Sequence, residues 1–233
     1  MSTEPQAQRE DRDVFWEPAR VTTAEVKIKR SLFIGRLFPC RSVEDVRTFL
    51  TCTETEHKNA AHHCWAYLLD SRGKTKYFSD DGEPAGTAGK PILSAIERCG
   101  MVNLLIVVTR YFGGIKLGVR GLIEAYGQAA SNALERAERV RRVRSRKLAI
   151  CLPYAIIKDI TYLLEVYGLT GVPRWNYGSE VEVIARVKES AMLQITAIFD
   201  ELQARKRIHS WKWLEEGFSY NEQHNPHIMD SSP

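Results

Sequence analysis

The chain has 233 residues, of which 44% are apolar and 27% are charged, with 33 lysine and arginine residues against 29 aspartate and glutamate residues. This balance excludes a wholly disordered chain, and no stretch approaches the roughly 18 consecutive apolar residues that span a bilayer. The length predicts one large domain or two small ones.

The N-terminus and the cysteines indicate the cellular compartment. The first 20 residues, MSTEPQAQREDRDVFWEPAR, contain no apolar segment like that of a secretory signal. The cysteine count is 5 and the spacing is wide, which argues against a disulfide framework. The sequence therefore predicts a reduced, cytoplasmic protein with no membrane partner. We also predict no cofactor and no bound metal. The net charge of +4 permits an RNA partner without requiring one.

The first half alternates between predicted strands and helices after a loosely ordered N-terminus at residues 1–20. Partial alternation over residues 24–40 predicts a strand, or a pair of strands bent around Gly35. Ser42 and Asp45 form a variant of the capping box, which predicts the start of a helix. The later pattern predicts strands at 63–69, 76–78 and 102–109, and helices from Pro91 to Gly100 and over 119–138.

The second half has the element order β-α-β-β-α-β, which is that of the ferredoxin-like split unit. Its predicted strands cover 147–152, 169–177, 180–187 and 207–214, and its helices cover 154–167 and begin again at Ser190. We therefore expect an α+β protein with an N-terminal domain at 21–140, a ferredoxin-like domain at 145–215 and a flexible tail at 216–233.

Positive charge is concentrated in the first half of the chain. Residues 1–144 contain 23 basic and 18 acidic side chains, whereas the remainder contains 10 basic and 11 acidic ones. The densest basic run, ERAERVRRVRSRK at 135–147, coincides with the expected domain boundary. It is interpreted as a solvated helix end, with a phosphate-facing patch as the alternative.

Residues 79–91, SDDGEPAGTAGKP, are called the acidic loop. Asp80, Asp81 and Glu83 precede three glycines and a predicted helix start. Carboxylates at this density are able to hold a hard cation such as Mg²⁺, and Gly86 and Thr87 are able to bind a phosphate through backbone N–H groups. The simpler alternative is a turn, because Asp-Gly and Glu-Pro are common turn dipeptides.

Residues 109–122, TRYFGGIKLGVRGL, are called the basic loop. Its glycines, which include Gly113 and Gly114, permit close approach of the backbone, and Arg110, Lys116 and Arg120 supply charge for phosphates. Its two aromatic residues are suited to stacking on a base. It matches neither a Walker A loop nor a dinucleotide-binding fingerprint, and a tight strand-to-helix turn is the alternative.

The segment His62-His63-Cys64 raises the question of a metal site or of a Cys64 nucleophile. Adjacent residues of a strand point to opposite faces, so only His62 and Cys64 are able to share a face. Because no C-x-x-C motif accompanies them, we predict no metal here and interpret the histidines as structural or surface residues.

Three segments, HHCWAYLLD, FSDDGEPAGTAGKPIL and VVTRYFGGIKLGVRGLIEAYG, closely resemble the YigZ/IMPACT family, and the resemblance covers about residues 20–138. It implies an N-terminal domain of a ribosomal-protein type, akin to domain IV of elongation factor G, and a C-terminal domain like domain V of that factor. It implies no established enzyme activity. Eukaryotic relatives modulate translation by competing for an activator of a stress kinase through a different added domain, so that role is not carried over.

The chain departs from the family pattern within the basic loop. Members often have Thr at the position of Ile115 and Thr-Gly at the positions of Val119 and Arg120. The loss of two hydroxyl groups weakens any catalytic use of them on a phosphate or metal, and the added guanidinium strengthens anion binding. The departure therefore favours binding over catalysis.

The leading hypothesis is a non-catalytic binding protein associated with translation, which contacts structured RNA or the ribosome through the two glycine-rich loops. One alternative is a metal-assisted hydrolase or phosphotransferase that uses Asp80, Asp81 and Glu83. Another alternative is a protein-interaction regulator. The predicted phosphate-binding residues are Arg110, Gly113, Gly114, Lys116, Arg120, Gly86 and Thr87.

The two loops are also predicted to share one site. Each loop leads into a helix, and if both helices begin at the same edge of one sheet face, their N-termini converge. Asp81 or Glu83 is then expected to pair with Arg110 or Lys116 in the empty site. A bound phosphate is expected between the glycines of the two loops.

Overall fold

The computed structural model describes residues 12–214. The predicted tail at 216–233 and the first eleven residues of the predicted loose N-terminus lie outside that range. The described chain divides into an N-terminal unit, Phe15–Arg141, and a C-terminal unit formed by residues 12–14 and 142–214. Within residues 12–214, no helix combines the length and the apolar character needed to cross a bilayer.

A five-stranded antiparallel sheet forms the centre of the N-terminal unit, with the strand order β2-β3-β6-β4-β5. Strand β6 is buried along almost its whole length, which confirms the predicted central strand. Strands β1 and β7 pair in a separate two-stranded sheet. The strands are β1 (Val14–Pro18), β2 (Thr22–Ile28), β3 (Ser31–Pro39), β4 (His62–Leu69), β5 (Thr75–Ser79), β6 (Leu104–Tyr111) and β7 (Arg139–Val143).

Three helices cover the two faces of this sheet: α1 (Val43–Glu56), α2 (Gly89–Cys99) and α3 (Gly118–Glu135). Helices α2 and α3 contact each other and enclose the main core on one face, and α1 packs on the other face. The predicted capping box of α1 is confirmed. The Ser42 hydroxyl accepts a hydrogen bond from the Asp45 N–H at 3.1 Å, and the Asp45 carboxylate accepts one from the Ser42 N–H at 3.0 Å.

The predicted bend at Gly35 is wrong. The chain turns at Lys29 and Arg30, which have φ angles of 44° and 67°, and Gly35 lies inside β3. A Cβ atom at Gly35 would lie 2.4 Å from the carbonyl oxygen of Ala129, so the glycine allows α3 to approach the sheet closely.

Two further predictions need correction in the N-terminal unit. The basic run includes strand β7 rather than forming the end of a helix, because α3 ends at Glu135. The predicted loose N-terminus contains strand β1, in which Phe15 is buried. The two corrected segments are partners, since β1 pairs with β7.

The C-terminal unit has an antiparallel sheet of four strands in the order β11-β8-β10-β9. Alternate residues of β10, from Val181 to Val187, are buried and form the core with the two helices. The elements are β8 (Ser145–Leu152), α4 (Ile157–Val166), β9 (Arg174–Tyr177), β10 (Val181–Lys188), α5 (Met192–Ala204) and β11 (Ser210–Trp213).

Candidate functional site

The acidic loop and the basic loop meet at one end of the five-stranded sheet. Strands β5 and β6 both pair antiparallel with β4, so they run in the same direction and their loops leave the sheet at the same end. The acidic loop leads into α2, and the basic loop leads into α3. The prediction that the loops abut is therefore confirmed.

A buried ion pair joins the two loops. Arg110 Nη1 donates a hydrogen bond to Glu83 Oε1, which confirms one of the predicted pairings. The Tyr126 hydroxyl donates a second bond to the same oxygen at 2.8 Å. Glu83 is 8% exposed and Arg110 is 6% exposed, so the pair lies where charges need compensation. Arg110 was predicted to meet a ligand phosphate, and it is instead held by a carboxylate of the chain itself.

The Arg110 guanidinium also lies between two aromatic rings. Its Cζ atom is 5.5 Å from the ring centre of Phe33 and 5.4 Å from that of Phe112, distances at which cation–π attraction operates. Its Nε–H is buried and has no hydrogen-bond partner within the described part of the chain. The side chain is thus fixed in place while part of its hydrogen-bonding capacity stays unused.

A cleft of about 500 Å³ opens where the loops meet. Glu83 and Arg110 contribute to its lining, together with His62 and the exposed Lys116. The rest of the lining is largely apolar and includes Pro84, Phe112, Leu117, Val119 and Leu122. The first residues of α3 also line the cleft, and no side chain of residues 12–214 caps the N-terminus of that helix.

The Asp80 carboxylate accepts hydrogen bonds from backbone N–H groups of the segment that was predicted to bind a phosphate. Its Oδ2 accepts a hydrogen bond from the Gly86 N–H at 2.8 Å, and its Oδ1 accepts bonds from Ala88 at 3.0 Å and Gly89 at 2.8 Å. Thr87 is buried, and both its N–H and its hydroxyl donate to the Pro84 carbonyl. The predicted phosphate site at Gly86 and Thr87 is therefore already filled by the chain.

The three carboxylates of the acidic loop do not share a ligand position. Asp81 accepts a bond from the His63 N–H at 2.5 Å, and its carbonyl oxygen is 2.7 Å from His62 Nδ1. Asp80 and Glu83 have the separate partners described above. Residues 12–214 contain no group of three or more acidic, histidine or cysteine side chains placed to hold a metal ion.

Some of the predicted glycines and cations of the basic loop pack within the chain, and the others face solvent. The Gly113 N–H donates to the Ser31 hydroxyl at 3.1 Å, and an added Cβ would lie 2.1 Å from the Arg30 carbonyl, so this glycine serves packing within the chain. The surroundings of Gly114 are open. Lys116 is exposed at the cleft, and Arg120 is exposed and pairs with Glu124 at 2.9 Å. Lys116 and Arg120 are therefore the predicted cations that face solvent.

Tyr126 is a member of the site that the sequence analysis did not assign. The apolar periodicity of α3 placed it on the inward face, and a buried tyrosine hydroxyl usually has a hydrogen-bond partner. That requirement indicates a polar partner for the Tyr126 hydroxyl, but the sequence alone does not identify Glu83 as this partner. Burial raises the pKa of Tyr126, so its hydroxyl stays protonated and serves as a donor.

Cys64 shares the site but has the properties of a buried structural thiol. Its Sγ–H donates to the Asp80 carbonyl at 3.0 Å, and the side chain is fully buried. Burial raises the pKa of the Cys64 thiol to about 12. A thiol with so little thiolate at neutral pH is a poor nucleophile.

We expect iodoacetamide at pH 8 to label Cys52, which is exposed, at least about a hundredfold faster than Cys64 or Cys40. Burial raises the pKa of Cys40 to about 12 as well, so both buried thiols lack thiolate and access. Peptide mass spectrometry of timed samples measures the rates, and labelling in urea provides the control in which the difference disappears. Equal rates for Cys64 and Cys52 in the folded protein would revive a nucleophilic role for Cys64.

Comparison with known proteins finds relatives across most of the chain. Residues 29–134 match the Impact N-terminal domain. An IMPACT family member of Haemophilus influenzae is 40% identical over 177 residues, which cover 75% of this chain and 85% of that protein. The IMPACT family member YigZ of Escherichia coli is 38% identical over 149 residues, which cover 63% and 73%. A crystal structure described as that of a hypothetical protein has 30% identity and a TM-score of 0.60, and the match covers 88% of this chain and 98% of that one.

Proposed function

The chain belongs to the IMPACT family, and from that premise we propose that it is a non-catalytic binding protein associated with translation, which contacts structured RNA or the ribosome through the cleft between its acidic and basic loops. The observation that carries the proposal is the convergence of both loops on one cleft. There, the N-terminus of α3 lies beside the exposed Lys116, and Arg120 is exposed in the first turn of the same helix. A helix N-terminus and two cations together attract phosphate groups.

The partners of the acidic side chains support binding rather than hydrolysis. Asp80 holds three backbone N–H groups, and Glu83 compensates the buried Arg110. A metal-assisted mechanism would need these carboxylates to turn toward a common cation, and each would then abandon a buried partner. The alternative function that uses Asp80, Asp81 and Glu83 therefore has no geometric support.

The C-terminal unit supports an association with translation through its topology. Its element order β8-α4-β9-β10-α5-β11 and its antiparallel sheet support the proposal that it is a ferredoxin-like split unit. We propose that this unit is like domain V of elongation factor G and that the N-terminal unit is like domain IV of that factor.

We expect binding to ribosomal RNA to weaken steeply as salt rises, because phosphate contacts release counterions. The double variant Lys116→Gln, Arg120→Gln is expected to reduce the slope of log affinity against log salt by about two. Filter-binding or gel-shift titrations of the full chain with ribosomal RNA, transfer RNA and intact ribosomes, at several salt concentrations, measure the slope.

The matched control is the double variant Arg47→Gln, Lys74→Gln. Both side chains are exposed; Arg47 lies on α1, which packs on the opposite sheet face, and Lys74 lies in the turn between β4 and β5, at the opposite end of the sheet. This variant is expected to keep the slope of the parent protein. Absence of binding to all three RNA probes at low salt, or equal slopes for the two double variants, would overturn the proposal.

A further inference from the structure

We infer that the cleft between the acidic and basic loops takes one unpaired nucleotide, with the base inside the cleft and the phosphate at the start of α3. This inference rests on the proposed function, because it names the part of an RNA that the site would recognise. It goes beyond that function in assigning a specific pocket and a ligand class, a 5′-nucleotide, to the buried pair Glu83–Arg110.

The ion pair Glu83–Arg110, which we call the floor of the cleft, has hydrogen-bonding capacity that the chain does not use. Both hydrogen bonds to Glu83 end on Oε1, so its second oxygen, Oε2, has no partner among residues 12–214. Arg110 uses Nη1 for Glu83, and its Nε–H is buried without a partner among residues 12–214. A buried N–H group without a partner is uncommon, and it favours a bound state in which an incoming molecule completes the bonding.

The charge on this floor selects among ligands. Glu83 and Arg110 neutralise each other, so a simple anion is attracted only weakly to the pair. The anion is also repelled by the Glu83 carboxylate. A neutral group with a donor next to an acceptor complements both side chains at once. The edge of every nucleobase has that arrangement of N–H and oxygen or nitrogen acceptors.

The walls of the cleft suit a flat apolar ring. Phe112 is 50% exposed and Val119 is 60% exposed, although both are large apolar side chains. Together with Leu122 and Pro84 they line the space beside the ion pair. The volume of about 500 Å³ lies within the range of small-molecule sites, roughly 300–1,000 Å³, and is sufficient for one nucleotide.

The mouth of the cleft supplies the site for a phosphate. Gly118 and Val119, the first residues of α3, lie in the lining, and no described side chain caps their helix. Lys116 lines the same space, whereas Arg120 pairs with Glu124 on the surface of α3. The N–H groups at the start of the helix and the Lys116 ammonium would bind the phosphate while the base reaches the floor.

The test is calorimetric titration of the full-length protein with the four 5′-mononucleotides and with ribose 5-phosphate, which lacks a base. At least one mononucleotide is expected to bind at least about tenfold more tightly than ribose 5-phosphate, because stacking of a base on an aromatic ring contributes that much. The variant Phe112→Ala is expected to remove most of this advantage. Tyr77→Ala is the matched control, since Tyr77 is an aromatic residue of similar exposure, 61%, on β5 outside the cleft lining.

The same protein preparations are titrated with ribosomal RNA, so that the two ideas are tested separately. RNA binding by the parent together with equal affinity for mononucleotides and ribose 5-phosphate would overturn the pocket inference and leave the proposed function standing. Equal effects of Phe112→Ala and Tyr77→Ala would overturn the inference in the same way. Mononucleotide binding that depends on Phe112, without any RNA binding, would overturn the proposed function and support a pocket for free nucleotides.

Discussion

Replacing Glu83 with glutamine is expected to lower the free energy of unfolding by about 3 kcal/mol, which would be a large share of the stability of a typical domain. The substitution keeps the size of the side chain but removes its charge, and Arg110 is then left buried without a counter-ion. Urea unfolding followed by circular dichroism measures the change.

The matched control is Glu124→Gln, which removes the carboxylate from an exposed pair with Arg120 and is expected to cost no more than about 0.5 kcal/mol. The double variant Glu83→Leu, Arg110→Met tests the cause. It removes both buried charges, and it is expected to be more stable than Glu83→Gln because no charge is left uncompensated. Equal stability of Glu83→Gln and Glu124→Gln would contradict the account of the buried pair.

The second large effect is expected at Asp80. The variant Asp80→Ala is expected to destabilise the protein by about 3 kcal/mol, because the N–H groups of Gly86, Ala88 and Gly89 all lose their acceptor. Asp80→Asn, which keeps one acceptor oxygen, is expected to fall between the parent and the alanine variant. Urea unfolding gives the free energies, and hydrogen exchange at the three amides reports the local loss of order.

Asp81→Asn is the control for the acidic loop. Asp81 is exposed and has a positive φ of 41°, which asparagine tolerates about as well as aspartate. We expect a smaller change in stability than at Asp80, of about 1 kcal/mol. If Asp80→Ala proved as stable as the parent protein, the carboxylate would not be the organiser of the loop, and a role as a metal ligand would regain support.

Local signals in the sequence predicted most of the fold. The capping box of Ser42 and Asp45 marked the start of α1, and Gly100, with a φ of 72°, ended α2 as expected. Long-range pairing was not visible in the sequence. Strand β1 pairs with β7 more than a hundred residues away, so neither short segment showed what would bury it.

Glycine was an ambiguous signal for the same reason. Gly35 suggested a bend. Its lack of a side chain instead allows Ala129, which lies in a helix distant in sequence, to pack closely against β3. The turn itself occurs at Lys29 and Arg30, two residues that rarely adopt positive φ. The tertiary contacts of β3 therefore outweighed local preference.

The candidate site was predicted in part. Complementary charge in two loops was enough to predict that Asp81 or Glu83 would pair with Arg110 or Lys116, but not which of these pairs forms; the observed pair is Glu83 with Arg110. The role of Asp80 was not predictable, because the hydrogen bonds that a carboxylate accepts from backbone N–H groups depend on the path of the loop and not on residue type. Gly86 and Thr87 were assigned to a phosphate for the same reason. A carboxylate of the chain and a bound phosphate accept hydrogen bonds from the same backbone N–H groups, and residue type does not distinguish them.

The internal carboxylate of Asp80 has a consequence for the speed of recognition. Because it holds the N–H groups of the acidic loop, the conformational entropy of that loop is lost when the chain folds and not when a ligand arrives. Association at the cleft then needs no slow ordering step on the acidic-loop side. Its rate is set by how often the partners meet in a suitable orientation, which electrostatic attraction to Lys116 and Arg120 increases.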